Sequence, residues 1–415
     1  MPSGLSNSET DGLTLTSSYP EVIVVNVSVS GSRLGGAAIA AEWHSRFLAE
    51  FVNIELWRMW DADSTALLNN LSVHNYNNKL PIPLITRLLP RRAQALLLTS
   101  EIVSQILKVR PKIVHLQNPI PALEFERIAK VCQQNGIRVV TSTHGFYEVF
   151  HPNYNWKWYE EYGWQKWIIK PIERSFKHID AFLSGYPAEK QILLKKGVPE
   201  NKIHLVPNGI NPYFEQSPTT REYRTVLDKF GISQDQPILL FIGNHTKNKG
   251  LDTVLEVAAN LQSPATVVIG GKLLSPNEPE ERLAQIPSKY SAHIIFTDYL
   301  TEVEQRALYH MAKLLLFPSL ADTLPLTILE AMACGLPVVA YETGGISYQL
   351  ANQSGVFVPQ GDQQAFIKAV EHLLSASYDC AVIKANAKKR QRQLFSWELA
   401  AKKTVKVYDS LLDLL

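Results

Sequence analysis

The chain is poor in cysteine and has no long apolar run. Of its 415 residues only three are cysteines, Cys132, Cys334 and Cys380, and they lie far apart. An odd and sparse set excludes a disulfide scaffold and a cysteine-rich zinc site, and it fits a reducing compartment. No stretch of about 18 apolar residues occurs, so no segment is predicted to span a bilayer.

The chain also lacks a strong charge bias and a targeting segment. Its 41 Lys and Arg residues nearly balance 39 Asp and Glu residues. Nucleic-acid-binding proteins are usually more basic, so no nucleic acid is expected as a partner. Residues 1–20 are polar and have neither a basic start nor an apolar core, so they are predicted to be a mobile tail and not a signal peptide. We therefore expect a cytoplasmic protein, soluble or peripheral at the inner face of the cell membrane.

What the chain does contain is a regular alternation of short apolar runs and amphipathic segments. Val- and Ile-rich runs separated by helices predict parallel βαβ units, and residues 35–51 are predicted to form the first helix. The predicted strands are 21–27, 112–116, 137–143, 181–185, 203–207, 237–243, 265–271, 293–299, 313–319, 336–342 and 355–359.

A polar segment divides this alternation into two series. Residues 212–236 are rich in Ser, Thr, Asp and Gln, and Pro237 opens the second series. We therefore predict an N-terminal domain over 21–211, a linker region over 212–236 and a second domain over 237–394. Parallel sheets place ligands at the carboxyl ends of their strands, so the cleft between the domains is the expected site.

The most informative segment is ADTLPLTILEAMACGLPVVAYETGG, residues 321–345. Asp322 follows a predicted strand, and Glu330 lies eight residues later in a predicted helix. A loop that leads into a helix presents free amides and a positive dipole end, which suit a phosphate. Carboxylates beside it suit sugar and ribose hydroxyls. The alternative is that Asp322 only caps the helix and Glu330 is a surface residue.

The residues around these carboxylates resemble the sequence motif of a known family. Pro318-Ser319, Glu330-Ala331-Met332-Ala333, Gly335, Pro337-Val338 and Gly344-Gly345 occur in order. This run resembles the signature of GT-B-fold retaining glycosyltransferases of group 1, family four, and of an exopolysaccharide-type subgroup. LVPNGINPYF at 205–214 and GNHTKNKG at 243–250 resemble two further motifs of that family, so the resemblance covers nearly the whole chain.

The resemblance implies a fold and a donor. The expected α/β fold is GT-B, with two Rossmann-like domains facing a central cleft and a helix at 395–415 that crosses back to the first domain. The expected donor is a nucleotide-diphospho-sugar, with no tightly bound cofactor and no metal. The acceptor is expected on the first domain and the donor on the second.

The resemblance also assigns residues to the donor. Lys249 would pair with the diphosphate, Asp322 would contact hydroxyls of the donor sugar, and Glu330 would bind the ribose, because a carboxylate accepts from paired hydroxyls. Gly344 and Gly345 would let the backbone approach the donor closely, although a plain turn explains them equally well.

Four positions depart from the family pattern. Asp322 replaces a glutamate that is one methylene longer, and Pro325 stands where glycine is frequent. Asn244 occupies the position of a diphosphate-binding arginine, and Lys247 would partly replace that charge as a point charge. Tyr348 stands where the family places a glutamate.

The first domain adds candidates that face the cleft. Gly35 and Gly36 belong to a glycine loop over 29–38 that could bring amides to a phosphate or sugar, or could form only a tight turn. His144 follows a predicted strand and would bond the donor sugar or orient the acceptor, although a lone histidine is usually structural. We therefore take His144 and Asp322 as the catalytic candidates. Asp61-Ala62-Asp63 is interpreted as a loop and not as a metal site.

Two segments of the first domain could contact the acceptor or a membrane. Residues 146–167 hold ten aromatics, which are expected mostly to pack in the core, with one or two touching the acceptor. Residues 87–112 place basic side chains around an apolar helix, which is interpreted as an ordinary domain helix with basic ends. Contact with an anionic membrane is the alternative.

The sequence therefore predicts a retaining glycosyltransferase, a hexosyltransferase-type enzyme. The acceptor would be a glycan or a lipid-linked glycan of bacterial exopolysaccharide or glycolipid assembly. Two alternatives remain. One is a GT-B-fold enzyme of another reaction, such as a nucleotide-sugar epimerase or hydrolase, although the motifs at 205–214 and 322–345 argue against the epimerase. The other is a transferase-like subunit without catalysis that binds a partner enzyme, and Asn244 and Asp322 are the departures that support it.

Overall fold

The computed structural model describes residues 20–27, 35–80, 91–144, 146–150, 157–284, 292–375 and 379–413. Most of the predicted tail, part of the glycine loop and residues 87–90 of the basic segment lie outside the described residues. In the described ranges the fold consists of two α/β units in sequence.

Fourteen strands are found in these ranges. They are β1 Val22–Asn26, β2 Ile54–Trp60, β3 Ser64–Leu68, β4 Leu71–Asn77, β5 Ile113–Gln117, β6 Arg138–Ser142, β7 Ala181–Ser184, β8 Ile203–Leu205, β9 Ile238–Ile242, β10 Ala265–Gly270, β11 Ala292–Asp298, β12 Leu314–Phe317, β13 Val338–Tyr341 and β14 Val356–Val358.

The helices of the same ranges fall mostly between the strands. They are α1 Gly36–Leu48, α2 Arg91–Leu96, α3 Ile102–Val109, α4 Ala122–Gln134, α5 Phe146–Phe150, α6 Trp158–Trp164, the π-helical turn Gln165–Ile169, α7 Lys170–Ser175, α8 Pro187–Lys195, α9 Thr220–Phe230, α10 Leu251–Asn260, α11 Glu278–Leu283, α12 Glu302–Met311, α13 Leu326–Cys334, α14 Ile346–Gln349, α15 Gln363–Leu374, α16 Ala381–Leu394 and α17 Trp397–Leu412, with 3₁₀ turns at Phe176–His178, Glu200–Lys202, Pro212–Glu215 and Lys247–Lys249.

Each unit is built on one sheet. The first sheet runs β3-β4-β2-β1-β5-β6-β7-β8, and only β3 is antiparallel to its neighbour. The second runs β11-β10-β9-β12-β13-β14, all parallel. In both sheets the strand order reverses beside the first strand, at β1/β5 and at β9/β12. This is the doubly wound arrangement, which opens a crevice at the carboxyl edge of the reversal.

The central strands are buried on both faces. All five residues of β1 and all five of β9 are buried, because helices cover both sides of a parallel sheet. This is why the sequence shows continuous Val, Ile and Leu runs at these positions. All eleven predicted strands are present.

The first sheet holds three strands that the sequence pattern did not predict. β2, β3 and β4 lie at its edge, where β3 is mostly exposed. β2 carries Glu55 and Arg58 among apolar residues, and the Arg58 guanidinium pairs with Glu42 on α1. The charged residues interrupt the apolar pattern of β2 in the sequence, because the groups that neutralise them lie in other elements. Asp61-Ala62-Asp63 connects β2 to β3, as the loop interpretation predicts.

Two other segments differ from the sequence predictions. The predicted linker 212–236 is helical over much of its length, since α9 begins at a capping box of Thr219 and Glu222 and packs on α12 through the Glu222–Arg306 ion pair. The single basic helix predicted over 87–112 is wrong. In the described part it is broken into α2 and α3, and Lys112 pairs with Glu21.

The last helix returns to the first unit, as the fold prediction requires. α17 packs along α1. The Tyr408 hydroxyl lies 2.7 Å from Nδ1 of the buried His115, and Thr404 Oγ1 lies 3.0 Å from His44 Nε2. Burial holds the pKa of His115 well below its usual range, so the ring is neutral and depends on these polar partners.

The contact of α17 with β5 predicts a stability effect. Tyr408→Phe keeps the ring but leaves His115 Nδ1 without its hydroxyl partner in a fully buried position, which should lower the free energy of unfolding by about 1–3 kcal/mol. Urea unfolding of the purified protein measures this. The matched control is Lys406→Ala on the exposed side of the same helix, which should stay within about 0.5 kcal/mol. Equal unfolding curves for the two variants would contradict the anchoring role of Tyr408.

Candidate active site

The carboxyl edges of the two sheets face each other across a cleft that holds two adjoining cavities. The larger, of about 290 Å³, is lined by Lys249, Glu330 and Asn244 of the second unit and by Gly35 and Gly36 of the first. The smaller, of about 250 Å³, extends from Gly36 to His144. Asp322 lines both cavities, so it lies where they meet.

Lys249 and Asp322 form the central contact of the cleft. Lys249 ends the 3₁₀ turn after β9, and its Nζ lies 2.8 Å from each carboxylate oxygen of Asp322. The next residue, Gly250, has φ +75, and a Cβ there would lie 2.0 Å from the Pro318 carbonyl oxygen. Only glycine lets the two loops approach closely enough for this ion pair.

Two other candidates of the same loop are placed differently. Asn244 is exposed and lines the larger cavity. Lys247 is also exposed, but it is not among the residues that line either cavity. The ammonium presented to the cavities from this loop is therefore that of Lys249.

Glu330 lies on α13 with its carboxyl largely withdrawn from water. Its Oε2 accepts a hydrogen bond of 2.9 Å from the Tyr309 hydroxyl. Burial raises the pKa of Glu330 to about 7, the Tyr309 bond opposes this rise, and the negative charge of Glu302 adds to it. The carboxyl therefore exchanges its proton near neutral pH, while Tyr309 fixes its orientation.

Gly344 and Gly345 lie behind Asp322 and do not line the cavities. Gly344 has φ +52, and a Cβ there would lie 1.8 Å from the Asp322 carbonyl oxygen. The Gly345 amide donates to the Thr323 carbonyl at 2.7 Å. The two glycines therefore hold the Asp322 loop by close backbone contact. This agrees with the alternative that they form a plain turn, and the Asp322 loop is the segment that this turn contacts.

The first unit presents a helix end to the cleft. α1 begins at Gly36 and runs for 13 residues with Gly35 as its N-cap. A Cβ at either glycine would meet nothing within 4 Å. The two glycines are therefore not required for tight packing, and they leave the backbone open to the cleft. The positive end of this helix faces the same cavities as Lys249, and the two together favour an anion between them.

His144 lies at the far end of the smaller cavity. Its Nε2 is buried and has no hydrogen-bond partner among the described residues. Burial lowers the pKa of His144 to about 4, so the ring is neutral at physiological pH. A neutral imidazole can donate one hydrogen bond and accept another, which suits a sugar hydroxyl.

Four residues near the cavities escaped the sequence analysis. Lys272, Tyr299 and Gln305 line the larger cavity, and Tyr309 orients Glu330. Lys272 and Tyr299 lie within two residues of the carboxyl ends of β10 and β11, so the rule that ligands bind at strand carboxyl ends could have found them. Gln305 and Tyr309 lie on α12, and nothing local in the sequence marks them.

Neither a resident metal nor a membrane-crossing helix is indicated in the described part of the chain. There, no group of three His, Cys, Asp or Glu side chains could hold a metal ion. Within the same ranges, no helix combines the length and the apolar character needed to cross a bilayer.

Two family models match the chain, one for each unit. Residues 44–214 match Glycosyltransferase Family 4, and residues 223–390 match Glycosyl transferases group 1. The two matches meet close to the predicted domain join.

Curated relatives are similar at low identity. An uncharacterized glycosyltransferase of Methanocaldococcus jannaschii is 26% identical over 252 residues, which is 57% of this chain and 64% of that protein. Sulfoquinovosyl transferase of Arabidopsis thaliana is 25% identical over 321 residues, 74% of this chain and 58% of that protein. The matches therefore span less than two thirds of the length of these relatives.

Solved structures share the fold over nearly the whole chain. Sucrose-phosphate synthase from Thermosynechococcus elongatus has a TM-score of 0.73 at 18% identity, over 95% of this chain and 100% of that one. Anabaena HepE in complex with UDP-glucose has a TM-score of 0.71 at 14% identity, over 94% and 99%. WaaG, a glycosyltransferase involved in lipopolysaccharide biosynthesis, has a TM-score of 0.67 at 16% identity, over 91% and 98%.

These matches confirm the GT-B fold predicted from the sequence. The N-terminal unit carries the family 4 model and the C-terminal unit carries the group 1 model. The chain therefore contains a family 4 glycosyltransferase domain followed by a group 1 glycosyltransferase domain.

Proposed function

We propose that the chain is a retaining glycosyltransferase that moves a sugar from a nucleotide-diphospho-sugar to a glycan or lipid-linked acceptor. The observation that carries this proposal is the convergence of Lys249, Asp322 and Glu330 on one cavity, opposite the N-terminus of α1. A cation and a helix end suit the diphosphate, and two carboxylates suit hydroxyls. The UDP-glucose held by HepE supports a donor of this class.

The proposed donor site assigns one part of the donor to each group. The diphosphate lies between Lys249 and the amides at Gly35 and Gly36, where charge-assisted hydrogen bonds are strongest. Glu330, oriented by Tyr309, accepts from the ribose hydroxyls. Asn244 adds a neutral hydrogen-bonding group at the diphosphate, and the exposed Lys247 adds only a more distant positive charge. Gly344 and Gly345 act on the donor indirectly, because they hold the loop of Asp322.

We propose that the transfer retains the anomeric configuration. Asp322 is held by Lys249 and, in this proposal, serves sugar hydroxyls, so Asp322 is not placed as a covalent nucleophile. We infer front-face transfer: the acceptor oxygen bonds to the anomeric carbon on the face that the diphosphate leaves, and the acceptor proton passes to a phosphate oxygen. Lys249 and the α1 terminus stabilise the negative charge that develops on the leaving group, and His144 bonds a donor hydroxyl or orients the acceptor.

We further propose a division of work between the domains. Residues 21–211 would hold the acceptor, 237–394 the donor, and 395–415 would tie them together. A cytoplasmic location fits the three cysteines, which are all free and buried. The membrane contact predicted for 87–112 receives little support from the described part, where the basic residues do not share one helix. Exopolysaccharide or glycolipid assembly remains the proposed role, and the role of WaaG in lipopolysaccharide biosynthesis supports it.

Transfer itself is tested by product analysis. The protein is incubated with UDP-, GDP-, ADP- and TDP-sugars of α configuration and an acceptor panel of free and lipid-linked glycans. NMR of the product should show an α linkage from one donor. A β linkage would overturn retention. Tight nucleotide binding without transfer to any acceptor would instead identify the noncatalytic subunit suggested by Asn244.

The diphosphate role of Lys249 predicts a specific loss of affinity. Lys249→Ala removes the charge-assisted bonds to the diphosphate and should weaken donor binding by about 10- to 100-fold, as measured by isothermal titration with the donor found above. Lys247→Ala makes the same change of charge on an exposed side chain, and it should change the affinity by less than about threefold. Equal losses in both variants would assign the effect to net charge.

The raised pKa of Glu330 predicts opposite effects of one substitution on stability and binding. Because the folded-state pKa of about 7 lies above the ordinary 4.5, the folded protein binds the extra proton between these values. Stability therefore falls as pH rises through this window. Glu330→Gln removes the cost of keeping a carboxylate in this buried position. The free energy of unfolding of the variant, measured by urea unfolding, should therefore exceed that of the native protein at about pH 8 and show no such advantage near pH 4.5.

Donor binding should follow the charged form of Glu330. Affinity for a nucleotide-diphospho-sugar, which itself does not titrate in this range, should rise from about pH 6 to about pH 8 as the carboxylate forms. Glu330→Gln should bind more weakly and lose this pH trend, while the Tyr309 hydroxyl can still donate to the amide oxygen. Isothermal titrations of both proteins with the donor at three pH values measure the affinities and their pH dependence. An unchanged pH dependence in the variant would contradict the ribose role of Glu330.

A further inference from the structure

An exposed aromatic cluster lies at the start of the helical segment 158–175. Of the seven exposed aromatic side chains in the described ranges, four fall within ten residues: Trp158 is 80% exposed, Tyr162 61%, Tyr159 51% and Trp167 43%. All five residues from 158 to 162 are exposed, so the first turn of α6 stands away from the body. The core-packing expectation for this segment therefore fails for half of its described aromatics.

The cluster lies toward the cleft side of the first sheet. β6 and β7 are parallel neighbours, so the helical segment between them runs from the carboxyl edge back to the amino edge. Its first turn, with Trp158, therefore lies toward the carboxyl edge, which also carries His144. The Trp164 indole donates to the Val149 carbonyl at 3.0 Å, which fixes the helix to α5 beside the cleft.

Lysines are interleaved with these aromatics. The Lys157 ammonium lies 5.9 Å from the centre of the Tyr159 ring. The Lys166 ammonium lies 5.8 Å from the Tyr162 ring and 5.3 Å from the Trp167 ring. Glu160 accepts from the Lys157 amide at 2.9 Å, so this acidic group serves the helix N-terminus. The surface combines indole and phenol rings with lysine ammonium groups, and it also carries the exposed carboxylates of Glu160 and Glu161 in the first turn.

This arrangement favours a bilayer over a glycan. Sugar rings stack on open aromatic faces, but here Trp158 and Tyr159 meet edge to face at 84°, and the Lys166 ammonium lies over one face each of Tyr162 and Trp167. The surface is also convex, because every side of the first turn is exposed. Trp and Tyr settle at the boundary of headgroups and acyl chains, and lysines there reach lipid phosphates.

We propose that the aromatic surface, formed by Trp158, Tyr159, Tyr162 and Trp167 with Lys157, Lys166 and the exposed Lys170 four residues after Lys166, docks the protein on an anionic lipid bilayer. Docking turns the cleft end that carries His144 toward the membrane. This choice of acceptor rests on the proposed function: docking selects a lipid-linked acceptor over a free glycan.

Vesicle flotation with the full chain tests the docking surface. The vesicles contain phosphatidylcholine alone or with phosphatidylglycerol. The native protein should float with the anionic vesicles. The double variant Trp158→Ser/Tyr162→Ser should partition about tenfold more weakly, and Lys157→Gln/Lys166→Gln/Lys170→Gln should lose about fivefold per lysine on anionic vesicles only.

The control removes apolar surface elsewhere. Leu67→Ser/Val382→Ser acts on side chains that are 70% and 58% exposed but distant from the cluster in sequence, and it should float like the native protein. Brominated lipids should quench the tryptophan fluorescence of the native protein more strongly than that of the Trp158→Ser/Tyr162→Ser variant. No flotation of the native protein, or equal flotation of all variants, would overturn the proposal.

A second measurement separates this surface from the proposed function. Thermal shift with the nucleotide sugar should be the same in the native protein and in the aromatic and lysine variants, since none of these residues lines the cleft cavities. Donor binding without vesicle binding would reject the docking surface alone. Vesicle binding without donor binding would reject the proposed function alone. Protection of the aromatics by a soluble glycan, and not by vesicles, would reassign the surface to a glycan.

Discussion

The ion pair between Lys249 and Asp322 holds the donor side of the cleft together. It joins the loop after β9 to the loop after β12, the two strands beside which the order of the second sheet reverses. Both side chains are partly withdrawn from water, so loss of either would leave a poorly solvated charge. Gly250 and Gly344 make the pair attainable by letting the backbones behind it touch. In the proposed function, donor binding would therefore be an exchange of partners around the Lys249 ammonium.

The groups that give the cleft its chemistry do not all stabilise the fold. Glu330 is kept in surroundings that raise its pKa to about 7, and His144 holds a buried nitrogen without a partner among the described residues. Both conditions cost stability in the empty protein, and a ligand with hydroxyl groups relieves both. By contrast, the fully buried His115 has a hydroxyl on each side. That difference separates a structural histidine from a candidate for ligand contact.

Sequence reasoning worked where burial alone decides the structure. Strands covered on both faces must be apolar throughout, and most of the eleven predicted strands are of this kind. β8, β11 and β14 are only partly buried, but their apolar runs were also sufficient to predict them. It failed where distant charges complete an element: Arg58 in β2 depends on Glu42, and α9 depends on Arg306 of α12 to neutralise Glu222. A local pattern shows the charge but not its partner. Segment 212–236 is likewise predicted as a polar linker region, and its local pattern does not indicate the helix α9 that it contains.

The site shows the same division between local pattern and distant contact. Lys249, Asp322 and Glu330 could be named from linear motifs, because each occupies a fixed place after a strand or in a helix. Their contacts could not: the Tyr309 bond that orients Glu330 comes from another helix. The aromatic surface is the converse case. Its residues were evident in the sequence, but their exposure depends on how far α6 stands off the sheet. A cluster that packing does not require, and that the cleft does not use, therefore needs an external partner.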